Sequence, residues 1–281
     1  MTGVGARLLV LVGLALGPGC AQLLGLDATS QGGVDADPNA VCAAAPACPS
    51  SGAGTSVCGQ LVDAGTGAPL RVARPTGLAC TGTEGPCALA VRGVDADALF
   101  AAMSPTPVVG SIDDCGRYQV ADVAGARVGL EVSDTGSTYR RVLHLMPAST
   151  SAMTEPLELV TTASTATWLP GQNLARDTGY LVAFTSAGAA ASGVTALIDG
   201  TPPASNLTPP YAWYFDAPTP YQGLSLASPL AASGVTGTAL VAPASAAPFV
   251  LGGARGATTC GAVNGLAVVP QTLVFVTLSG C

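Results

Sequence analysis

The chain has 281 residues, room for one large or two ordinary domains with a sizeable core. Charged residues make up only 10% and the net charge is −7; all ten basic residues are arginine and no basic stripe exists, which excludes the electrostatic footprint of a nucleic-acid binder. With 36 glycines and 22 prolines punctuating an apolar sequence, the composition suits a loop-rich β protein and not a helical bundle.

Residues 1–19, MTGVGARLLVLVGLALGPG, read as an export signal. Arg7 supplies a positive start, and the apolar run Leu8 to Leu16 is too short for the roughly 20 residues that a spanning helix needs. Leu16-Gly17-Pro18-Gly19-Cys20 then sets small residues before a cysteine. This segment resembles the lipobox of bacterial lipoproteins, although Pro18 stands where that family prefers Ala, Ser or Thr. The resemblance implies that Cys20 becomes the lipid-attachment residue, its thiol carrying diacylglycerol, with the membrane as partner. One acyl chain holds only marginally, at about 0.8 kcal/mol per buried CH₂, but two or three hold almost permanently. No aspartate follows Cys20, and by the same resemblance that favours the outer membrane. The alternative is an ordinary signal peptide, with Cys20 available for a disulfide.

Residues 20–56 are small, polar and Pro/Gly-rich, the composition of a flexible tether. Asp35-Ala-Asp37-Pro-Asn39 is spaced like the start of a calcium loop but lacks its central Gly and closing Glu. With Cys20 lipidated, eight of the nine cysteines remain, an even number that reads as a disulfide framework in an exported chain. A zinc site finds no CxxC pair and a single histidine, so neither metal nor cofactor is expected. The simplest pairing joins Cys260 to Cys281, and Cys80 and Cys87 bracket a turn-rich loop; Cys42–Cys48 and Cys58–Cys115 would complete the set, with fifteen connectivities open to the first six.

From Val57 the pattern turns to period-two alternation. Val57 to Leu61 reads as a strand, followed by the turn-rich Asp63-Ala-Gly-Thr-Gly-Ala-Pro69 and a resumption at Leu70 and Val72. Cys87 to Val91 alternates again; Asp97 to Met103 predicts one short helix with an aspartate cap and Pro105 as its stop. Asp113 to Gly116 is a turn, and Arg117 to Val120 and Val128 to Val132 are strands. Further strands are expected at Tyr180 to Phe184, Gly193 to Ile198, Tyr211 to Phe215, Thr238 to Val241 and Leu273 to Thr277, separated by turn clusters such as DGTPPASNLTPP.

Cys58-Gly-Gln-Leu-Val-Asp63-Ala-Gly-Thr-Gly67-Ala-Pro-Leu70, with Gly116-Arg-Tyr118-Gln-Val120 and Val128-Gly-Leu-Glu-Val132, resembles the carboxypeptidase regulatory-like domain, a transthyretin-like β-sandwich. The insertion from Pro75 to Gly110 departs from it and, with Asp113 to Tyr118, is similar to cysteine-rich lipoproteins of myxobacteria-like organisms. Residues 180–281 resemble a second such domain more weakly. The resemblance implies an accessory fold without catalysis of its own, serving structure and adhesion. The expected fold class is therefore all-β: two small Ig-like or transthyretin-like β-sandwiches in tandem, disulfide-stapled, at 57–147 and 148–281.

Candidate chemistry is sparse. His144, in Val-Leu-His-Leu-Met, reads as an outward or edge strand residue, and no Gly-x-Ser-x-Gly elbow exists to pair with it. Asp113-Asp114 is a carboxylate pair, but adjacent turn aspartates usually bond their own backbone. Tyr211, Trp213 and Tyr214 form a possible contact surface, one strand face being core and the other an aromatic platform for a glycan or peptide. The leading expectation is a non-enzymatic, lipid-anchored envelope protein with structural or adhesive modules. The alternatives are a glycan- or peptide-binding lipoprotein and, behind it, a carboxylate-dependent hydrolase.

Overall fold

Alternating side chains become strands because each buries one face or both. In the computed structural model, which describes residues 42, 47–50, 52–70, 88–113, 115–168, 178–204, 209–217, 221, 230–244 and 247–281, the first nine strands are β1 (Thr55–Asp63), β2 (Leu89–Asp95), β3 (Val108–Val109), β4 (Ser111–Ile112), β5 (Arg117–Val123), β6 (Arg127–Asp134), β7 (Val142–Pro147), β8 (Met153–Thr154) and β9 (Leu157–Leu159). The second half supplies β10 (Gly179–Ser186), β11 (Ala189–Ala190), β12 (Thr195–Ile198), β13 (Tyr211–Tyr214), β14 (Thr238–Ala242), β15 (Phe249–Arg255), β16 (Thr258–Thr259), β17 (Val263–Leu266) and β18 (Leu273–Leu278). Among the described residues two short helices interrupt them, α1 (Ala96–Phe100) and α2 (Thr162–Trp168).

Helix α1 starts earlier than the sequence predicts. Asp95 caps it, its carboxylate accepting from the Ala98 N–H at 3.1 Å, and Asp97 instead holds the Arg127 guanidinium. The helix ends at Phe100, before the predicted Met103, where Ala102 turns to a positive φ of 56°.

The strands form three sheets. The largest runs β13-β14-β10-β18-β7-β6-β2-β3, with β11 attached to β10. Its residues alternate between two cores: Leu181, Trp213, Leu240, Leu273 and Phe275 enter one, and Tyr180, Val182, Tyr214, Val241 and Val274 enter the other. The first core is completed by Val57, Leu61, Tyr118, Val120 and Leu157 of a five-stranded sheet, β4-β5-β1-β8 with β9 also on β1. The second is completed by Ala196, Ile198, Phe249, Leu251 and Leu266 of a four-stranded sheet, β12-β15-β16 with β17 on β15. Each such Leu, Val or Phe taken fully out of water contributes roughly 1.5–3 kcal/mol. The protein is thus all-β, and its layered sandwiches share a central sheet buried on both faces.

The boundary expected between 147 and 148 does not divide the sheets. Strands β8 and β9 lie beyond it yet pair in parallel with β1, and β18 pairs in parallel with β7 through Leu273↔Val142 to Phe275↔His144. That pairing removes two open strand edges, each a row of unpaired N–H and C=O groups. Residues 45–281 form one compact unit, and of the other unit, residues 1–44, only Cys42 is described. The export signal, Cys20 and most of the tether therefore lie outside the described residues, as does the Cys80–Cys87 pair.

The disulfides differ in part from the expected scheme. Cys48 bonds to Cys58, with Cα atoms 5.5 Å apart, so neither Cys42–Cys48 nor Cys58–Cys115 forms. The register explains it: Cys58 lies opposite Gln119 in the β1–β5 pair, which puts Cys115 four residues further on, about 13 Å along the strand, beyond the reach of an S–S bond. Cys42 and Cys115 are each disulfide-bonded, and Cys260 bonds to Cys281. Disulfides at all six described cysteines are the chemistry of an exported chain in an oxidising compartment.

Candidate functional site

The aromatic strand is core, which corrects its reading as a contact surface. Tyr211, Trp213 and Tyr214 are 0%, 3% and 4% exposed. Tyr211, Trp213 and Phe215 enter one core and Tyr214 the other, because β13 belongs to the sheet that is covered on both faces. The Tyr214 hydroxyl accepts the Ala196 N–H at 2.8 Å. With Val194 N donating to Ser233 Oγ and Ile198 N to the Thr201 carbonyl, the outer N–H groups of edge strand β12 are capped from within the fold.

Asp113 is also structural. Its Oδ1 accepts from the Cys115 and Arg117 N–H groups at 2.9 Å each, and its Oδ2 takes the Arg117 Nε at 2.7 Å, closing the turn before β5. Asp114 lies outside the described residues.

His144 sits inside the sheet, at 8% exposure, and not at an edge. Its β7 neighbours are Leu130 on β6 and Phe275 on β18, and its ring stacks on Phe275 with centroids 4.2 Å apart. Its Nε2 lies 2.9 Å from the carbonyl oxygen of Glu158 in β9. A carbonyl only accepts, so Nε2 carries the proton. The Leu159 carbonyl accepts from Ala64 beside β1, so the carbonyl of Glu158, one residue before it, points to the free edge of β9. His144 thus caps an open strand edge from the neighbouring layer.

Glu158 is the meeting point. Its Oε2 accepts from the Tyr221 hydroxyl at 2.9 Å, and Tyr221 packs edge-on against Phe275 and Phe215. Burial lowers the His144 pKa to about 4, its bond to the Glu158 carbonyl opposing the shift, and the imidazole is neutral at pH 7. Burial raises the Glu158 carboxyl, which the bond from Tyr221 partly offsets, and burial beside that carboxylate holds the Tyr221 hydroxyl well above its ordinary value.

These groups line a groove of about 500 Å³. Ala183, Thr185, Thr238 and Thr277 of the central sheet also line it, together with Glu155, Pro156 and Glu158 of the chain entering and forming β9. Among the described residues the lining includes two carboxylates and no basic group except the neutral imidazole. A smaller hollow of about 250 Å³ is rimmed by Pro202, Pro203, Pro210, Pro243 and Pro248. Among the described residues no group of three or more His, Cys, Asp or Glu could hold a metal ion, and no helix is long and apolar enough to cross a membrane.

Sequence reading finds His144, and finds Tyr221 only as a member of the aromatic cluster; it misses Glu158 and Phe275. The alternation in Leu157-Glu158-Leu159 is visible, but nothing local says that this strand's free edge meets a histidine.

No protein-family model matches the chain, and no curated protein matches it. Among solved structures it is similar to the Bacillus anthracis TIE protein, with 5% identity and a TM-score of 0.24; the match covers 81% of this chain and 34% of that one, so this chain spans about a third of that protein's length. A double mutant of the shaft pilin SpaA of Lactobacillus rhamnosus GG matches with 11% identity over 81% of this chain and 97% of that one, at a TM-score of 0.21. A DUF3823 family protein of Parabacteroides merdae matches with 11% identity over 83% and 100%, at a TM-score of 0.25. Likenesses of this order carry no argument about function.

Proposed function

We propose that this chain is a non-catalytic envelope module, held on a membrane by acyl chains on Cys20 and serving structural or adhesive contact from the outer membrane. The observation behind the non-catalytic reading is the fate of the one histidine: it is neutral, stacked on Phe275, and its Nε2–H goes to a backbone carbonyl. Glu158, beside it, is bonded to Tyr221, so these groups join layers of the fold. The anchor rests on the lipobox-like Leu16 to Cys20, and the disulfides agree with export. The test is metabolic labelling with a fatty acid followed by fractionation of the wild type and Cys20→Ala. Label and membrane partitioning should both be lost in the variant. Equal partitioning of the two proteins would overturn the anchor.

A second reading is favoured by the groove, whose threonines and carboxylates could meet the hydroxyls of a glycan or the amides of a peptide. Binding of envelope glycan fragments to wild type, weakened by Thr277→Val, would support it. Release of reducing ends from such fragments would instead overturn the non-catalytic reading.

A further inference from the structure

We propose that His144, Glu158 and Tyr221 form an acid-operated latch that holds strand β9 against the central sheet and releases it when the imidazole is protonated. The argument starts from connectivity. Strand β9 pairs with β1 on one side only, and on its other side the Glu158 carbonyl is held by a side chain from β7. The Glu158 side chain is held in turn by Tyr221, from the C-terminal half of the chain. One residue of an edge strand is thus fastened to two other parts of the fold, beside an open groove.

Protonation strengthens the bond to the Glu158 carbonyl, but it also places a charge on a ring buried against Phe275, and that larger burial cost favours opening. The neutral ring needs one acceptor, the Glu158 carbonyl, and otherwise lies on Phe275 and beside Leu130. The imidazolium adds a second N–H donor and a charge. The elements packed around it offer few ionisable partners: Glu158 from β9, Glu155 from the chain before β9, and the Tyr221 hydroxyl. Glu131 pairs across from Leu143, whose side chain enters the opposite core, and its carboxylate is engaged by Arg141. Phe275 brings no ionisable group. Water is the better solvent for the charged ring, and lifting β9 off its Nε2 face widens the ring's opening to the groove. Glu158 works in the opposite sense, since burial raises its pKa and acid relieves its own penalty.

The chain has one histidine, so its imidazole gives a single NMR signal and its titration is directly readable. Latch opening is read by Glu-C protease, which is active at pH 4 and near neutrality and cuts after Glu158 only when the strand is free. Far-UV and near-UV circular dichroism are recorded alongside. The folded protein should resist cutting at Glu158 at pH 7 and be cut there at pH 4 while its near-UV signal persists. With an unfolded value of 6.5 and a latched value of about 4, the open population should rise on the order of a hundredfold over that interval. His144→Gln keeps an N–H donor without the charge and should lose that increment, and comparison with it cancels the contribution of Glu158. Three results would overturn the latch: an imidazole titrating near 6.5 in the folded protein, equal acid cutting in wild type and His144→Gln, or a wild type that at pH 4 unfolds as a whole with no local step. If His144→Gln does not fold, the titration and the wild-type cutting pattern still decide.

Discussion

The His144 ring lies on the Phe275 ring, tilted by 10°, at the register point where β7 and β18 pair in parallel. Two strands far apart in the chain thereby place an ionisable ring within an apolar core, and its protonation is coupled to folding.

The sign of that coupling follows from the lowered pKa. The unfolded chain binds a proton at 6.5, the folded chain only near 4. His144 therefore favours the folded state fully above pH 6.5, and this contribution is lost as the pH falls from 6.5 to about 4, by about 3 kcal/mol. Urea midpoints at pH 7.5 and 4.5 should differ accordingly, and His144→Phe should flatten the difference. An unchanged slope in the variant would mean that other groups carry it.

Two tyrosines of the central sheet should respond oppositely to loss of the hydroxyl. The Tyr211 hydroxyl is buried without a partner, and burial raises its pKa to about 12. The Tyr180 hydroxyl donates to the Ala267 carbonyl. An unmade buried bond costs about 1–3 kcal/mol, so Tyr211→Phe should be neutral or stabilising, whereas Tyr180→Phe should destabilise by about 1 kcal/mol or more. Chemical denaturation of both variants compares them.

Gly59 sits where the chain between β8 and β9, running alongside β1, comes closest to it. A Cβ there would lie 1.9 Å from the Glu155 carbonyl oxygen, which is also the acceptor of the Tyr118 hydroxyl. Backbone has to shift to admit it, so Gly59→Ala should lower stability by about 1–3 kcal/mol or more. A thermal melt tests this, and an unchanged midpoint would show that the approach is looser.

The two defined disulfides close loops of 10 and 21 residues. Loop entropy predicts losses of about 2.7 and about 3.3 kcal/mol for Cys48→Ala/Cys58→Ala and Cys260→Ala/Cys281→Ala. Non-reducing peptide mapping should recover the Cys48–Cys58 peptide, and a Cys58–Cys115 peptide would contradict the register argument.

By itself the sequence determined what is local: period-two alternation made β1, β5, β6, β10 and β18 legible, the Asp113 turn was readable from its aspartates and glycine, and the number of cysteines indicated an oxidised chain. Tertiary structure alone decided which strands are neighbours. Alternation shows that a strand has two faces, but not what covers each one. So Tyr211 to Phe215 could be read as half surface until a second layer closed over it, and Cys58 could be matched with Cys115 until the β1–β5 register set them apart. The same holds for His144, whose stacking partner, hydrogen-bond acceptor and protonation all come from residues that only the pairing of β7 with β18 and of β9 with β1 brings near. Those contacts span long loops whose closure is compensated by cores formed together, and no short stretch of sequence encodes that cooperation.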